Sequence, residues 1–143
     1  MTRFLLLALL LVAAPLAAQP TPADSAAIRA AATDYLMGYY EGDADRMERS
    51  IHPDLVKRIV RRNAEGRTRI DPMSSLTLVN LAGSGSGTQV PEDERIVEIT
   101  ILDIEANTAT IKTRATGFFD YMHLARFGVE WKILNVLWDF PSD

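Results

Sequence analysis

Apolar residues recur at helical spacing through Ile28, Ala32, Tyr35, Leu36 and Tyr39, the signature of one buried helix face. Thr21-Pro22-Ala23-Asp24 predicts where that helix starts. The threonine can cap, the proline suits the first helical position, and the carboxylate reaches back to the cap. Gly42 predicts its end. Asp43 then predicts the cap of a shorter second helix, with Met47 and Ile51 on its buried side and Pro53 as its stop. Leu55 to Arg62 fits two templates. Val56, Arg58, Val60 and Arg62 alternate as in a strand, while Leu55, Val56, Ile59 and Val60 make a helical stripe. Leu76 to Leu81 predicts a helical turn or two capped by Ser74 or Ser75, and Gly83 to Gly87 reads as a flexible Gly/Ser loop.

The period changes to two in the last third. Arg95 to Glu105 is rich in Ile and Val and ends in a turn at Glu105-Ala106-Asn107-Thr108. Ala109, Ile111, Thr113 and Ala115 then face one way, and Thr110, Lys112, Arg114 and Thr116 the other. This strand is expected to continue through Phe118, Phe119 and Tyr121 to a turn at Arg126-Phe127-Gly128. A final strand carries Val129, Trp131 and Ile133, then Val136 and Trp138. The apolar parity slips between Ile133 and Val136, which predicts a bulge or a strand buried on both faces. Helices first and a meander afterwards define an α+β order.

The N-terminus changes the picture. Arg3 precedes an apolar run from Phe4 to Ala14, and small residues lead to Gln19. This pattern predicts a cleavable secretory signal over residues 1–19, followed by one domain over residues 20–143. The run is too short for a bilayer span of ~20 residues, so no stable membrane anchor is expected after cleavage. The expected location is the periplasm or the exterior. The chain has no cysteine, so the domain relies on its core rather than on disulfides. Losing Arg3 moves the formal charge from −4 to −5, which gives no electrostatic reason to bind nucleic acid. Two histidines and no cysteine offer no metal cluster at the usual spacings, and no cofactor is expected. Neither a phosphate-binding glycine loop nor a serine elbow is signalled.

Three residues are candidates for acid–base chemistry: His52, Asp120 and His123. His52, expected to close the second helix, is either a base or a cation set against the helix dipole. Asp120 and His123 face oppositely on a regular strand and form a dyad only across a bulge. Asp120 with His52 across the fold is the other pairing. Lys57, Arg58, Arg61, Arg62, Arg67 and Arg69 form a basic run, read as a solvated strand face or as a site for an anion. Glu92-Asp93-Glu94 reads as a solvated loop. Among the aromatic residues, Tyr35 and Tyr39 lie on the inward helix stripe and carry a hydroxyl.

Three stretches carry a family resemblance: Tyr39-Tyr40-Glu41-Gly42-Asp43-Ala44-Asp45-Arg46-Met47-Glu48, Ile51-His52-Pro53-Asp54-Leu55-Val56-Lys57-Arg58, and Phe119 to Leu124 with Glu130 to Trp138. Together they resemble the putative lumazine-binding family of the nuclear transport factor 2-like superfamily, over nearly all of residues 25–140. The resemblance favours the strand reading of Leu55 to Arg62. It implies N-terminal helices packed on a curved antiparallel sheet, with a conical pocket between the first helix and the concave face. It also implies a small apolar or aromatic ligand there, with Tyr35, Tyr39, His52, Asp120, Tyr121 and Trp138 as contacts. An acid–base enzyme using the same pocket, of isomerase or dehydratase type, and a homodimeric interaction protein are the alternatives.

Overall fold

The computed structural model describes residues 20–142, so the expected secretory signal lies outside the described residues. Helix α1 spans Pro22–Glu41. Its capping box forms as the sequence predicts: Asp24 N donates to Thr21 Oγ1 at 3.2 Å, and Thr21 N donates to Asp24 Oδ2 at 3.0 Å. Gly42 closes the helix at φ 70°, in the left-handed region. Helix α2 spans Ala44–Ser50, and Arg46 N donates to the carboxylate of its cap, Asp43, at 2.9 Å.

Strand β1 spans Ile51–Arg62, which corrects the expected extent of α2. Ile51 and His52 are strand residues. Ile51 is buried opposite Ile133, and that pairing ends the helix before Pro53 is reached. Pro53 is tolerated in β1 because the ladder on that side is interrupted between Ile51 and Val56. Strand β2, Thr68–Ser74, has no apolar alternation to announce it. It forms as a hairpin partner of β1 at the sheet edge, where Pro72 is acceptable. Helix α3 spans Ser75–Gly83 with Ser74 as its cap. The Gly/Ser segment after it is a packed set of turns: Gly87 is buried, and a Cβ there would stand 2.3 Å from the Tyr39 carbonyl oxygen.

Strands β3 (Glu98–Glu105), β4 (Thr108–Ala115), β5 (Phe118–Phe127) and β6 (Glu130–Asp139) complete one six-stranded sheet, in the order β2-β1-β6-β5-β4-β3. β4 and β5 are separate, because Gly117 at φ 89° turns the chain where one long strand was expected. The slip in β6 is a bulge: His123 pairs with Asn135 and Leu124 with Ile133, leaving Leu134 unmatched. Every pairing is antiparallel except β1 with β6, so the sheet is mixed. The connection from β1 to β6 runs through the rest of the molecule, which makes a parallel join possible.

The core lies between α1 and the concave face. Ile28, Ala32 and Leu36 meet Ile111, Met122, Leu124, Ile133 and Val136, all essentially without solvent contact. The alternation on β4 is as expected, with Ala109, Ile111, Thr113 and Ala115 inward.

Candidate functional site

Strand register builds the site. Thr113, Asp120 and Trp138 are direct neighbours across β4, β5 and β6. Lys57 lies on β1 opposite Val136, two residues from Trp138 on the same face of β6. Tyr35 and Tyr39 descend from α1 over this row. Between them is a cavity of about 170 Å³. Its walls are Tyr35, Tyr39, Phe118 and Trp138, with Met47, Met73 and Leu78 closing the side. Leu81 and Phe140 stand at the mouth, 37% and 50% exposed. An apolar void of ~150 Å³ holds one benzene, so this cavity is the size of a single ring.

Lys57 is the centre of the polar chemistry. Its Nζ donates to Asp120 Oδ1 at 2.6 Å and to the Tyr35 hydroxyl at 2.7 Å. Thr113 Oγ1 donates to the other Asp120 oxygen at 3.2 Å. Lys57 is 4% exposed and Asp120 fully buried. The ammonium also lies 4.7 Å from the Trp138 ring centre, 5.0 Å from Phe118 and 5.4 Å from Tyr35. Three ring faces around a desolvated cation are an attractive arrangement.

Burial works against both charges of this pair. It pulls the Lys57 ammonium below the usual lysine range, opposed by the adjacent Asp120 carboxylate. It pushes the Asp120 carboxyl above the usual carboxylate range, opposed by Lys57 and then by the Thr113 hydroxyl. Tyr35 is raised well above an ordinary phenol, by burial first and by Asp120 second, so it stays protonated at neutral pH. Tyr39 is raised as well, chiefly by burial.

The sequence-derived candidates separate. Tyr35, Tyr39 and Trp138 line the cavity, and Asp120 lies behind Lys57. Tyr121 does not reach it: one residue beyond Asp120, it faces the outer side of the sheet, 43% exposed. His123 is exposed on that same outer side, because β5 is regular between it and Asp120 and the bulge lies in β6. The Asp120–His123 dyad therefore does not form. His52 lines a different groove, with its ring stacked on Phe127 at 4.4 Å between centres. Its Nδ1 accepts from Asp54 N at 3.1 Å. The side-chain hydrogen bonds of Asp120 go to Lys57 and Thr113, so it is not paired with His52 either.

Lys57 is the residue that the basic run concealed. The rest of that run is exposed: Arg61 and Arg69 pair with Asp71 at 3.1 and 3.0 Å. The signal for Lys57 was its parity. Leu55 and Ile59, two residues to either side, are both buried, so the lysine occupies an inward position on an apolar strand face. Phe118 and Met73 were also missed, the latter because β2 itself was.

Three helices laid over the concave side of a curved mixed sheet, around an aromatic cavity, define a nuclear transport factor 2-like domain. Solved structures of that class are similar to this chain. One is a nuclear transport factor 2-like protein of unknown function from Shewanella baltica OS155, with TM-score 0.63 and 16% identity over 87% of this chain and 100% of that one. Another, from Novosphingobium aromaticivorans, is described as having a cystatin-like fold, with TM-score 0.60 and 13% identity over 83% and 82% of the two chains. A third, from the same organism, is described as a putative aromatic ring hydroxylase, with TM-score 0.57 and 15% identity over 87% and 94%. No curated protein matches. The family model described as putative lumazine-binding matches residues 23–139, and the chain belongs to that family.

Proposed function

We propose that this protein binds a small, largely apolar or aromatic molecule in the cavity under α1. The carrying observation is the cavity itself: about 170 Å³, with aromatic walls and one buried ion pair at its inner end. Ligand sites are concave and mostly apolar, with a few fixed polar groups, and this one has that composition. The acid–base alternative has less behind it, since His52, Asp120 and His123 do not assemble into a pair. The family membership fits a ligand-binding role. Native mass spectrometry of the purified, never-denatured protein tests the reading. A reproducible extra mass that is lost on denaturation supports it. Protein that stays bare after incubation with a panel of single-ring compounds counts against it.

Export is part of the same proposal. Arg3, the apolar run to Ala14 and the small residues before Gln19 support cleavage near residue 19. N-terminal sequencing of protein recovered from a periplasmic fraction checks this. A start at Met1 in the cytoplasm would refute it.

Homodimerisation is a compatible second reading. Val60, Ile70, Tyr121 and Leu137 are large, exposed and on the outer side of the sheet, and Tyr121 and Leu137 are cross-strand neighbours. Sedimentation equilibrium decides it: a dimer that Leu137→Lys dissociates supports pairing through this face, and a monomer at high concentration rejects it.

A further inference from the structure

Among the described residues that line the cavity, Lys57 alone carries a charge. Its Nζ stands 4.7 Å from the ring centre of Trp138, 5.0 Å from Phe118 and 5.4 Å from Tyr35, and all three rings are cavity walls. Asp120, which is not a wall residue, holds Nζ from behind at 2.6 Å. The amine therefore sits between its counter-ion and the aromatic walls of the chamber. As a stability device such a pair is weak, because replacing a buried ion pair by apolar side chains is often neutral or stabilising. Its chemistry is more distinctive. A lysine in an apolar pocket loses its proton more readily, and the neutral amine is a nucleophile. Burial pulls Lys57 in that direction and pushes Asp120 towards holding a proton. Asp120 Oδ1 is thus placed to accept the proton that the amine must shed. Lys112 and Lys132, the other two lysines of the chain, lie outside the cavity.

We infer that Lys57 captures a single-ring aldehyde in the cavity, covalently and reversibly, as an iminium on Nζ. The inference rests on the binding reading above and assigns that ligand its functional group. The ring packs on the aromatic walls that surround Nζ, and its formyl group meets the amine. A proton first passes from Lys57 Nζ to Asp120 Oδ1. The nitrogen lone pair then forms a C–N bond to the carbonyl carbon, and the C=O π pair moves to oxygen. A proton shifts from nitrogen to that oxygen, which completes a carbinolamine. Asp120 returns its proton to the hydroxyl, which leaves as water while the nitrogen lone pair closes the C=N bond. Ammonium and aldehyde have become iminium and water, with no net change in protons or oxidation state. The positive charge stays on nitrogen beside Asp120, so the buried ion pair survives the reaction. Acylation of Lys57 would remove that charge and leave the carboxylate buried alone, which disfavours an activated acyl group as the ligand.

Reductive trapping of the purified, never-denatured protein tests this without any variant. Benzaldehyde is added with cyanoborohydride, which reduces an iminium to a stable benzylamine, and peptide mapping follows each lysine over time. A bound aldehyde reacts as an intramolecular partner, so Lys57 should be trapped at least about tenfold faster than Lys112 and Lys132. Its rate should also saturate with benzaldehyde concentration, while the two surface lysines respond linearly. Without the reductant, the adduct should be lost on dialysis. Trapping of Lys57 no faster than Lys112 and Lys132, or linear in benzaldehyde, overturns the inference. Calorimetry with benzyl alcohol, the same ring without the electrophile, separates this failure from failure of the binding reading. Saturable benzyl alcohol binding with Lys57 left untrapped overturns covalent capture and leaves the binding reading standing. No benzyl alcohol binding and no selective trapping overturns covalent capture and counts against the binding reading as well.

Discussion

At the scale of single residues, Lys57 and Asp120 matter most. Removing one partner leaves the other charge buried alone, which costs about 3–5 kcal/mol. Lys57→Met is therefore expected to destabilise the protein by that amount in urea titration. The double variant Lys57→Met with Asp120→Leu should recover much of the loss, because the desolvated carboxylate goes with its partner. Equal destabilisation by the single and double variants would contradict the account. His52→Ala and His123→Ala are expected to change stability by less than about 1 kcal/mol, as side chains outside the core do. His52 gives up its stacking on Phe127 and the hydrogen bond from Asp54 N, both at a partly exposed position.

Element contacts make predictions of a different kind. Asp24 caps α1 and also reaches the sheet: its Oδ1 accepts from Arg126 and from Trp131, each at 3.1 Å. The backbone hydrogen bond to Thr21, then the Thr21 and Trp131 side chains, hold its carboxyl at about 2 rather than 3.8. A depressed carboxylate contributes stability that is fully present above its unfolded value and lost as pH falls through its folded value. Wild-type stability should therefore drop between about pH 4 and pH 2, and Asp24→Asn should be less stable at pH 7 with a flatter slope across that window. Thermal unfolding across the pH series reads both. Gly87→Ala tests the packed turn after α3. Its Cβ would meet the Tyr39 backbone, so a loss of about 1–3 kcal/mol is expected. Tyr39 lines the cavity, and ligand binding should weaken with it.

Across the whole molecule, the cavity ties together elements far apart in the chain. Walls from α1, β1, β5 and β6 surround it, and Phe140 stands at its mouth beyond the last strand. Ligand at a hundredfold excess over Kd should raise global stability by about 2.7 kcal/mol. Amide exchange should slow in α1, β1 and β6 together, not in one element alone. Slowing confined to one helix would place the ligand elsewhere.

How much the sequence revealed varies with the kind of interaction. Caps, turns and alternation are local, and Thr21, Gly42, Ser74 and the run from Ala109 to Ala115 disclosed α1, α3 and β4 directly. The family resemblance turned the ambiguous stretch at Leu55 into a strand, which β1 is. The bulge in β6 was legible because one extra residue shifts every later side chain to the other parity. Only the tertiary structure decided the rest. β2 exists because β1 offers it an edge, and the end of α2 is set by the pairing of Ile51 with Ile133. Lys57 stood among arginines in sequence, and its role came from β1 lying parallel to β6, which brings it to Asp120 across 63 residues of chain. Local chemistry fixes where elements begin and end, while partners distant in sequence decide which charged residue is buried and therefore where the site is.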